Sequence, residues 1–353
     1  MATGAVMDIS SVADAIEWQA QHAEANGAPG TAMVVRGLLA VLDGESATGR
    51  RIAGWQGLSL KDAMPLRIAG GLHNLLLSGE DSRLEPVYAG LVADQAAVDG
   101  MVRDLVETYD TQLLPWLDTP PQTNEAGRSA SIVAGLLWLA QLVQSRFELL
   151  EIGSSAGVNT MLERFRFDLG GVAVGPKVSM MQMKPEWRGD PPPDRKIEIA
   201  SIRGCDVKPL DLSSAETALR LKSYVWPEAA HRMARIDAAS RMAAAMAPDV
   251  TQQDAGAFVV DALECEQEAG TTRVLFHSIV WQYVPDYQRE QVEAAMAKAA
   301  ERADAERPLA WLALETDPET FRHELTVRYW PGGGEPKLLA VAHPHGEWIE
   351  WLA

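Results

Sequence analysis

The chain has 353 residues, of which 47% are hydrophobic and 23% charged, and this composition is typical of a water-soluble protein with one large domain or two domains. Its formal net charge of −18, with 31 basic residues against 49 acidic ones, argues against nucleic acid or an anionic membrane surface as the partner, because such binding depends on Lys and Arg. No apolar run approaches the ~18 residues that a membrane-spanning helix needs. The acidic surface therefore makes a small molecule the expected partner.

The first part of the chain, residues 1–122, is predicted to form a helical domain. Apolar residues recur at spacings of three and four in "SSVADAIEWQAQHAEANG", "TAMVVRGLLAVLDG", "LKDAMPLRIAGGLHNLLLSG" and "MVRDLVETYDTQLLPWL". The opening "MATGAVMDISSVADAIEW" has acidic residues and no basic n-region, so no signal peptide is expected. With only two cysteines, Cys205 and Cys265, the expected location is the cytoplasm, with reduced thiols. The adjacent Pro120 and Pro121 end this region.

From Phe147 onward, short apolar runs alternate with helices, which predicts a second, α/β domain over residues 123–353. The runs are "FELLEI", "IEIASI", "FVVDAL", "RVLFHSIV" and "PLAWLALE". Such alternation is typical of a Rossmann-like, mostly parallel sheet covered by helices. A hairpin and a proline-rich loop interrupt it at 164–196, and a helical insert does so at 213–247. The final "RHELTVRYWPGGGEPKLLAVAH" predicts a C-terminal antiparallel strand pair at the sheet edge.

The stretch Gly153-Ser-Ser-Ala-Gly157, after the first predicted strand, supports two hypotheses. It satisfies G-x-S-x-G, the elbow that presents a nucleophilic serine, here Ser155. Residues for a triad follow in the required order of acid and then histidine, namely Glu315 or Asp317 and then His343 or His345. A serine hydrolase is therefore one candidate, although a hydrolase elbow follows several earlier strands, whereas a long helical region precedes this first strand, and no HGGG-like oxyanion segment lies upstream.

The second hypothesis is a cofactor site formed by Glu151, Gly153, Ser155 and Gly157. The turn lacks the second glycine of G-x-G-x-x-G and the Gly-Lys-Ser/Thr of a P-loop, so neither phosphate-binding pattern is met. A carboxylate beneath the turn would repel a pyrophosphate and attract a cation. S-adenosylmethionine, which carries an amine and a sulfonium, has the required charge.

Several strings resemble the bacterial family catalogued as domain of unknown function 2332. They are "ELLEIGSSAGVN", "RGCDVKPLDL", "YVWPE", "VLFHSIVWQYV", "HPHGEWIEW", "NEAGRSA" and "GGLHNLLLSG", and they extend over nearly the whole chain. The resemblance implies a fold similar to class I S-adenosylmethionine-dependent methyltransferases, with no established reaction. The predicted function is accordingly methyl transfer from S-adenosylmethionine to a small molecule. A non-catalytic ligand-binding protein on the same fold is the third candidate.

The remaining site residues are assigned from their positions at predicted strand ends, where open α/β sheets bind ligands. Asp206 is expected to hold the ribose, although it lies much further along the chain than the ~20 residues usual for that role. Asp254 is expected to hold adenine or to cap the next helix, and His277 is expected to act as a general base or as a structural hydrogen bonder. The expected substrate pocket is lined by Ser278, Trp281, Tyr283, Asn124 and Arg128. No metal site is expected, since the His343-Pro-His345 motif is too short and lacks the set of cysteine or acidic ligands typical of one.

Overall fold

A computed structural model describes residues 10–56, 58 and 62–353. The first nine residues, on which the prediction about a signal peptide depends, and residues 60–61 at the start of one predicted helix lie outside the described part. The chain divides into two compact units. One comprises the residues up to Thr123 together with Ala215–Asp237, and the other comprises Asn124–Ser214 together with Ala238–Ala353.

The α-helices are α1 (Val12–Ala25), α2 (Pro29–Gly37), α3 (Ala47–Ala53), α4 (Met64–Leu77), α5 (Glu85–Tyr88), α6 (Gln95–Thr108), α7 (Asp110–Leu113), α8 (Ser129–Leu139), α9 (Ala215–Ser223), α10 (Ala230–Ala245), α11 (Ala255–Glu264) and α12 (Asp286–Ala300). The strands are β1 (Arg146–Ile152), β2 (Arg166–Leu169), β3 (Val172–Val174), β4 (Gln182–Met183), β5 (Glu186–Arg188), β6 (Glu198–Asp206), β7 (Val250–Gln252), β8 (Thr272–Ser278), β9 (Leu309–Thr316), β10 (His323–Trp330), β11 (Gly333–Ala342) and β12 (Trp348–Trp351). Short 3-10 helices cover Leu38–Val41, Leu114–Asp118, Ala126–Arg128, Asn159–Arg164 and Trp281–Tyr283.

The first unit is helical throughout its described residues. Ser11 caps α1 by accepting a hydrogen bond from the backbone N–H of Asp14, and Ile16, Ala20 and Ala23 form the buried stripe of that helix. Part of the helical insert belongs to this unit, because α9 packs against α4. None of the helices in the described part of the chain combines the length and the apolar character of a membrane span.

The second unit is built on a nine-stranded sheet of order β5-β12-β11-β10-β9-β8-β1-β6-β7. The strands from β9 to β7 are parallel to one another. In chain order these five strands lie 3-2-1-4-5, as in a doubly wound Rossmann-like sheet. The predicted α/β class with a mostly parallel central sheet is confirmed.

Two faces of this sheet are covered by different helices. A side chain at Gly135 of α8 would contact Leu312 of β9, so α8 packs closely on one face. On the other face, Phe258 and Val259 of α11 and Val292 of α12 share a buried cluster with strand residues. Both faces of the central strands are therefore buried, as their nearly continuous apolar sequences require.

The third predicted strand, "FVVDAL", is wrong, because these residues lie in α11. Asp254 caps this helix by accepting a hydrogen bond of 2.9 Å from the backbone N–H of Ala257. Phe258, Val259 and Ala262 are buried at helical spacing, and this packing on the sheet outweighs the strand preference of the valines. The strand at this position is the shorter β7, just before the cap.

The C-terminal antiparallel pair is present as β10 and β11, but it does not form the edge of the sheet. β12 pairs with β11, and β5, from the predicted proline-rich loop, pairs with β12. Trp187 of β5 and Trp351 of β12 lie 5.8 Å apart between ring centroids, and Arg188 lies 4.5 Å from the ring centroid of Trp348. These contacts explain why a segment with so little strand pattern joins the sheet. The predicted hairpin is β2–β3, in a separate sheet of order β3-β2-β4.

Candidate functional site

β1 and β8 are neighbours in the sheet, and the order of the strands reverses between them. β6 and β7 follow β1 on one side, whereas β8 and β9 lie on the other side. Ligands of open α/β sheets bind at such a switch point, beyond the carboxyl ends of the strands. β1 ends at Ile152 and leads into the Gly153–Gly157 turn, and β8 ends at Ser278. The candidate site therefore lies where the sequence places most of the predicted residues.

The turn after β1 has three residues in the left-handed region, with φ of 71° at Gly153, 53° at Ser155 and 72° at Gly157. The serine is unusual there because its Cβ makes this conformation unfavourable. Its backbone N–H donates a 2.9 Å hydrogen bond to Oδ2 of Asp206, and its carbonyl accepts one of 3.2 Å from the N–H of Leu210. The end of β6 thus holds the strained residue in place.

Close packing also requires both glycines. A Cβ at Gly153 would overlap the Val280 side chain that follows β8, and a Cβ at Gly157 would lie 2.7 Å from Cβ of Pro248. The left-handed φ and these close approaches each exclude a larger residue. The glycines are therefore explained by the fold itself, before any ligand is considered.

Glu151 is the most unusual charged residue of the site. Its side chain is only 2% exposed, and its Oε2 has no hydrogen-bond partner among the described residues. Burial raises the pKa of Glu151 to about 7, the Ser154 and Asn159 side chains oppose this rise, and of the charges nearby Asp206 raises the pKa and Arg128 lowers it. Such a carboxyl group changes charge near neutral pH.

Two further buried oxygens, one in the turn and one just after it, lack partners within the described part of the chain. They are Oγ of Ser155 and Oδ1 of Asn159, the latter on a residue that is 3% exposed. Buried polar atoms are nearly always hydrogen-bonded, so each of these unsatisfied oxygens calls for an explanation such as a bound donor. A cation that carries N–H donors would satisfy Oε2 of Glu151 and also neutralise its charge.

The residues proposed for a serine-hydrolase triad are not brought together. Oγ of Ser155 bonds to no histidine among the described residues. His343 lies 3.7 Å from Glu347, and His345 lies 3.8 Å from Glu125. Asp317 accepts hydrogen bonds from its own turn, at the N–H and hydroxyl of Thr320. Ser155 has the strained backbone of an elbow, but among the described residues no base is hydrogen-bonded to its hydroxyl.

His277 is buried, and both of its ring nitrogens are engaged. Nε2 accepts a 2.9 Å hydrogen bond from Nε1 of Trp311, which can only donate, so the proton lies on Nδ1 and is donated to Oε1 of Glu315 at 2.6 Å. Trp281 stacks on the same imidazole, with ring centroids 5.0 Å apart. The geometry therefore supports the structural interpretation of His277, as a hydrogen bonder with no nitrogen available to a substrate.

Glu315 is the residue that organises the end of β8, and sequence reasoning considered it only for a hydrolase triad. Besides His277, its Oε1 accepts hydrogen bonds from the backbone N–H groups of Val280 (3.0 Å) and Trp281 (3.2 Å). Immediately before Val280, Ile279 has a φ of 51°, a rare conformation for a β-branched residue. Strain of this kind persists where the surroundings enforce it, often beside a functional site.

The other predicted residues lie at the ends of neighbouring elements. Oδ2 of Asp206 accepts from Ser155, and its Oδ1 accepts from the N–H of Lys208 at 2.9 Å, so this side chain holds the turn. Asp254 uses Oδ1 for the helix cap. Tyr283 is 58% exposed.

Asn124 and Arg128 both contact the strand ends. Oδ1 of Asn124 accepts a 2.8 Å hydrogen bond from the N–H of Val158. Arg128 donates to the carbonyls of Ser278 (3.0 Å) and Pro344 (2.9 Å). Sequence reasoning missed Asn159, although its position two residues after the second glycine of the turn was a usable signal.

Among known proteins, no curated protein and no solved structure gives a significant match to the chain. A family model described as "Uncharacterized protein conserved in bacteria (DUF2332)" matches residues 13–351. The match covers nearly the full length, and the chain therefore belongs to this bacterial family.

Proposed function

We propose that this protein binds S-adenosylmethionine at the switch point between β1 and β8 and transfers its methyl group to a small molecule. The observation that carries the proposal is the buried carboxyl group of Glu151, whose Oε2 lacks a hydrogen-bond partner within the described residues. An ammonium group supplies three N–H donors and a positive charge, which is what this carboxylate requires.

The residues present fit the rest of such a cofactor. Oγ of Ser155 and Oδ1 of Asn159 offer further acceptors for the amine. Asp254 caps α11 through Oδ1, and its Oδ2, which accepts no hydrogen bond from the described residues, would be available to an adenine amino group. Each oxygen of Asp206 accepts one backbone hydrogen bond, and a carboxylate oxygen can accept a second from a ribose hydroxyl.

When bound, S-adenosylmethionine would supply an electrophilic methyl group on a positively charged sulfur. The task of the protein is then to align an acceptor with that methyl group and to exclude water, which needs no covalent participation. The strained turns at Ser155 and Ile279 hold the two strand ends in fixed positions for this purpose. His277 does not supply a base for this transfer, because both of its ring nitrogens are engaged in hydrogen bonds.

A non-catalytic ligand-binding protein is the second candidate, and one observation favours it. Val280 and Pro248 occupy the space next to Gly153 and Gly157, where a cofactor would otherwise approach the turn. Such a protein would bind a cationic ligand at Glu151 without presenting its methyl group to an acceptor. Radiolabelled S-adenosylmethionine that binds but donates no methyl group to any fraction of a bacterial metabolite extract would favour this candidate.

Isothermal titration with S-adenosylmethionine and S-adenosylhomocysteine tests the proposal. We expect both to bind the unmodified protein and to bind Glu151→Ala at least 10-fold more weakly, since charge-assisted hydrogen bonds to an ammonium group contribute about 1.5–3 kcal/mol. Glu264→Ala is the matched control, because Glu264 is exposed on α11. Absence of binding to the unmodified protein would refute the cofactor assignment.

A further inference from the structure

A row of side chains follows the face of the sheet on which α8 packs. A Cβ at Gly135 of α8 would lie 2.7 Å from Cδ2 of Leu312 in β9, so Leu312 faces α8. Residues two apart on a strand share a face, so Leu314 and Thr316 face the same way. His323 of β10 is paired directly with Thr316, and paired residues also share a face. His323 therefore projects on the α8 side, at the carboxyl end of β9.

The pairing of β1, β8 and β9 places Glu151 on this face as well. Ser278 of β8 is paired with Leu314, and Phe276, two residues earlier, is paired with Glu151 of β1. Arg128, immediately before α8, donates to the carbonyl of Ser278 and acts electrostatically on both Glu151 and His323. Glu151 and His323 are thus two titratable groups of one row, on strands that flank β8 and β9.

His277 belongs to the opposite face. It is paired with Ala313 of β9, and Trp311 and Glu315 alternate with the residues that face α8. The strand-end histidine suggested by the sequence is therefore directed away from Glu151. The sequence did not identify His323 as a site residue, because it predicted β10 only as one strand of the C-terminal antiparallel pair.

The imidazole of His323 has one nitrogen held and one available. Nδ1 lies 2.9 Å from the hydroxyl of Thr316, and Nε2 has no hydrogen-bond partner among the described residues. Burial lowers the pKa of His323, Arg128 and His343 lower it further, and Glu315 raises it. This lowered pKa favours the uncharged form of the half-buried ring, which is the form that can accept a proton.

We infer that Nε2 of His323 accepts the proton of the methyl acceptor, an inference that rests on the proposed function. The acceptor is a small molecule with a hydroxyl or amine N–H bound over the row between Ser278 and His323. Its oxygen or nitrogen would form a bond to the methyl carbon of bound S-adenosylmethionine as the bond from that carbon to sulfur breaks, and the electron pair of the broken bond would stay on sulfur. The proton of the acceptor passes to Nε2, while Nδ1–H donates to Thr316.

The test is nuclear magnetic resonance of the protein labelled with ¹⁵N-histidine, alone and with S-adenosylhomocysteine, whose binding is measured separately by calorimetry. The ¹⁵N signals that disappear in His323→Gln are assigned to His323. His22→Gln, a change in the helical unit and remote from the site in sequence, is the control. We expect a neutral ring at pH 7 with the proton on Nδ1 and the lone pair on Nε2. Thr316→Val should increase the fraction of the other tautomer, because it removes the acceptor for Nδ1–H.

The possible outcomes separate the two claims. If S-adenosylhomocysteine binds and His323 carries its proton on Nδ1, the inference is supported. If S-adenosylhomocysteine binds but the ring is protonated at pH 7, or its proton lies on Nε2, His323 cannot be the base and only the cofactor claim survives. If S-adenosylhomocysteine does not bind, the proposed function fails and the role of His323 fails with it.

Discussion

Replacement of Glu151 by glutamine isolates the energetic effect of its buried charge. Burial raises the pKa of Glu151 from an ordinary value of 4.5 to about 7. Each pKa unit corresponds to about 1.4 kcal/mol, so ionisation of this group in the folded protein costs on the order of 3 kcal/mol relative to the unfolded chain. Glutamine keeps the shape of the side chain and cannot ionise.

The sign of the pH dependence follows from proton counts. Between pH 4.5 and about 7 the folded protein retains the Glu151 proton and the unfolded chain has lost it. The unfolded state therefore binds fewer protons, and the free energy of unfolding falls as pH rises through this window. Below the window the contribution of Glu151 is fully favourable, and above it the loss is complete.

Urea unfolding followed by circular dichroism at several pH values measures this difference. We expect Glu151→Gln to be close to the unmodified protein in stability near pH 4 and more stable by up to about 3 kcal/mol near pH 8.5. Glu264→Gln, an exposed change on α11, should alter stability by less than about 0.5 kcal/mol at either pH. Parallel stability curves for Glu151→Gln and the unmodified protein would refute the account of Glu151.

Other substitutions test the packing and chemistry of the turn. Gly153→Ala should destabilise the protein by at least about 2 kcal/mol in urea unfolding, and Val280→Ala should recover part of that loss in the double variant, whereas strict additivity would contradict the overlap of these residues. Glu315→Ala leaves the N–H groups of Val280 and Trp281 unpaired, so hydrogen exchange measured by mass spectrometry should accelerate in residues 279–284, and unchanged protection would show that Glu315 does not hold this segment. A fluorophosphonate probe should leave Ser155 unlabelled, because its hydroxyl bonds to no histidine among the described residues, and labelling that Ser155→Ala abolishes would favour the hydrolase.

Local sequence pattern was sufficient for the central part of the fold. The alternation of apolar runs and helices predicts the parallel sheet, and an acid-x-Gly turn after its first strand marks the switch point. The pattern failed where tertiary contacts decide the outcome. "FVVDAL" is helical because Asp254 caps it and the sheet buries one side of it, and β5 joins the sheet through contacts with residues far along the chain.

The candidate site shows the same division. Glu151 and the glycines are local features, so the sequence places them together. The tautomer of His277 depends on Trp311 and Glu315 of the adjacent strand, and the position of His323 depends on the register between β9 and β10. Pairing between strands is not visible in a single sequence, and the choice between two histidines required it.

The central claim is that the carboxylate of Glu151 binds the ammonium group of a cationic ligand. Titration of S-adenosylmethionine into the unmodified protein and into Glu151→Gln at pH 6 and pH 8 tests it most directly. The affinity of the unmodified protein should increase severalfold from pH 6 to pH 8, as the carboxyl group with a pKa of about 7 ionises, and the affinity of Glu151→Gln should be lower and independent of pH over this range. Equal affinities for the two proteins at both pH values, or no binding to either, would contradict the claim.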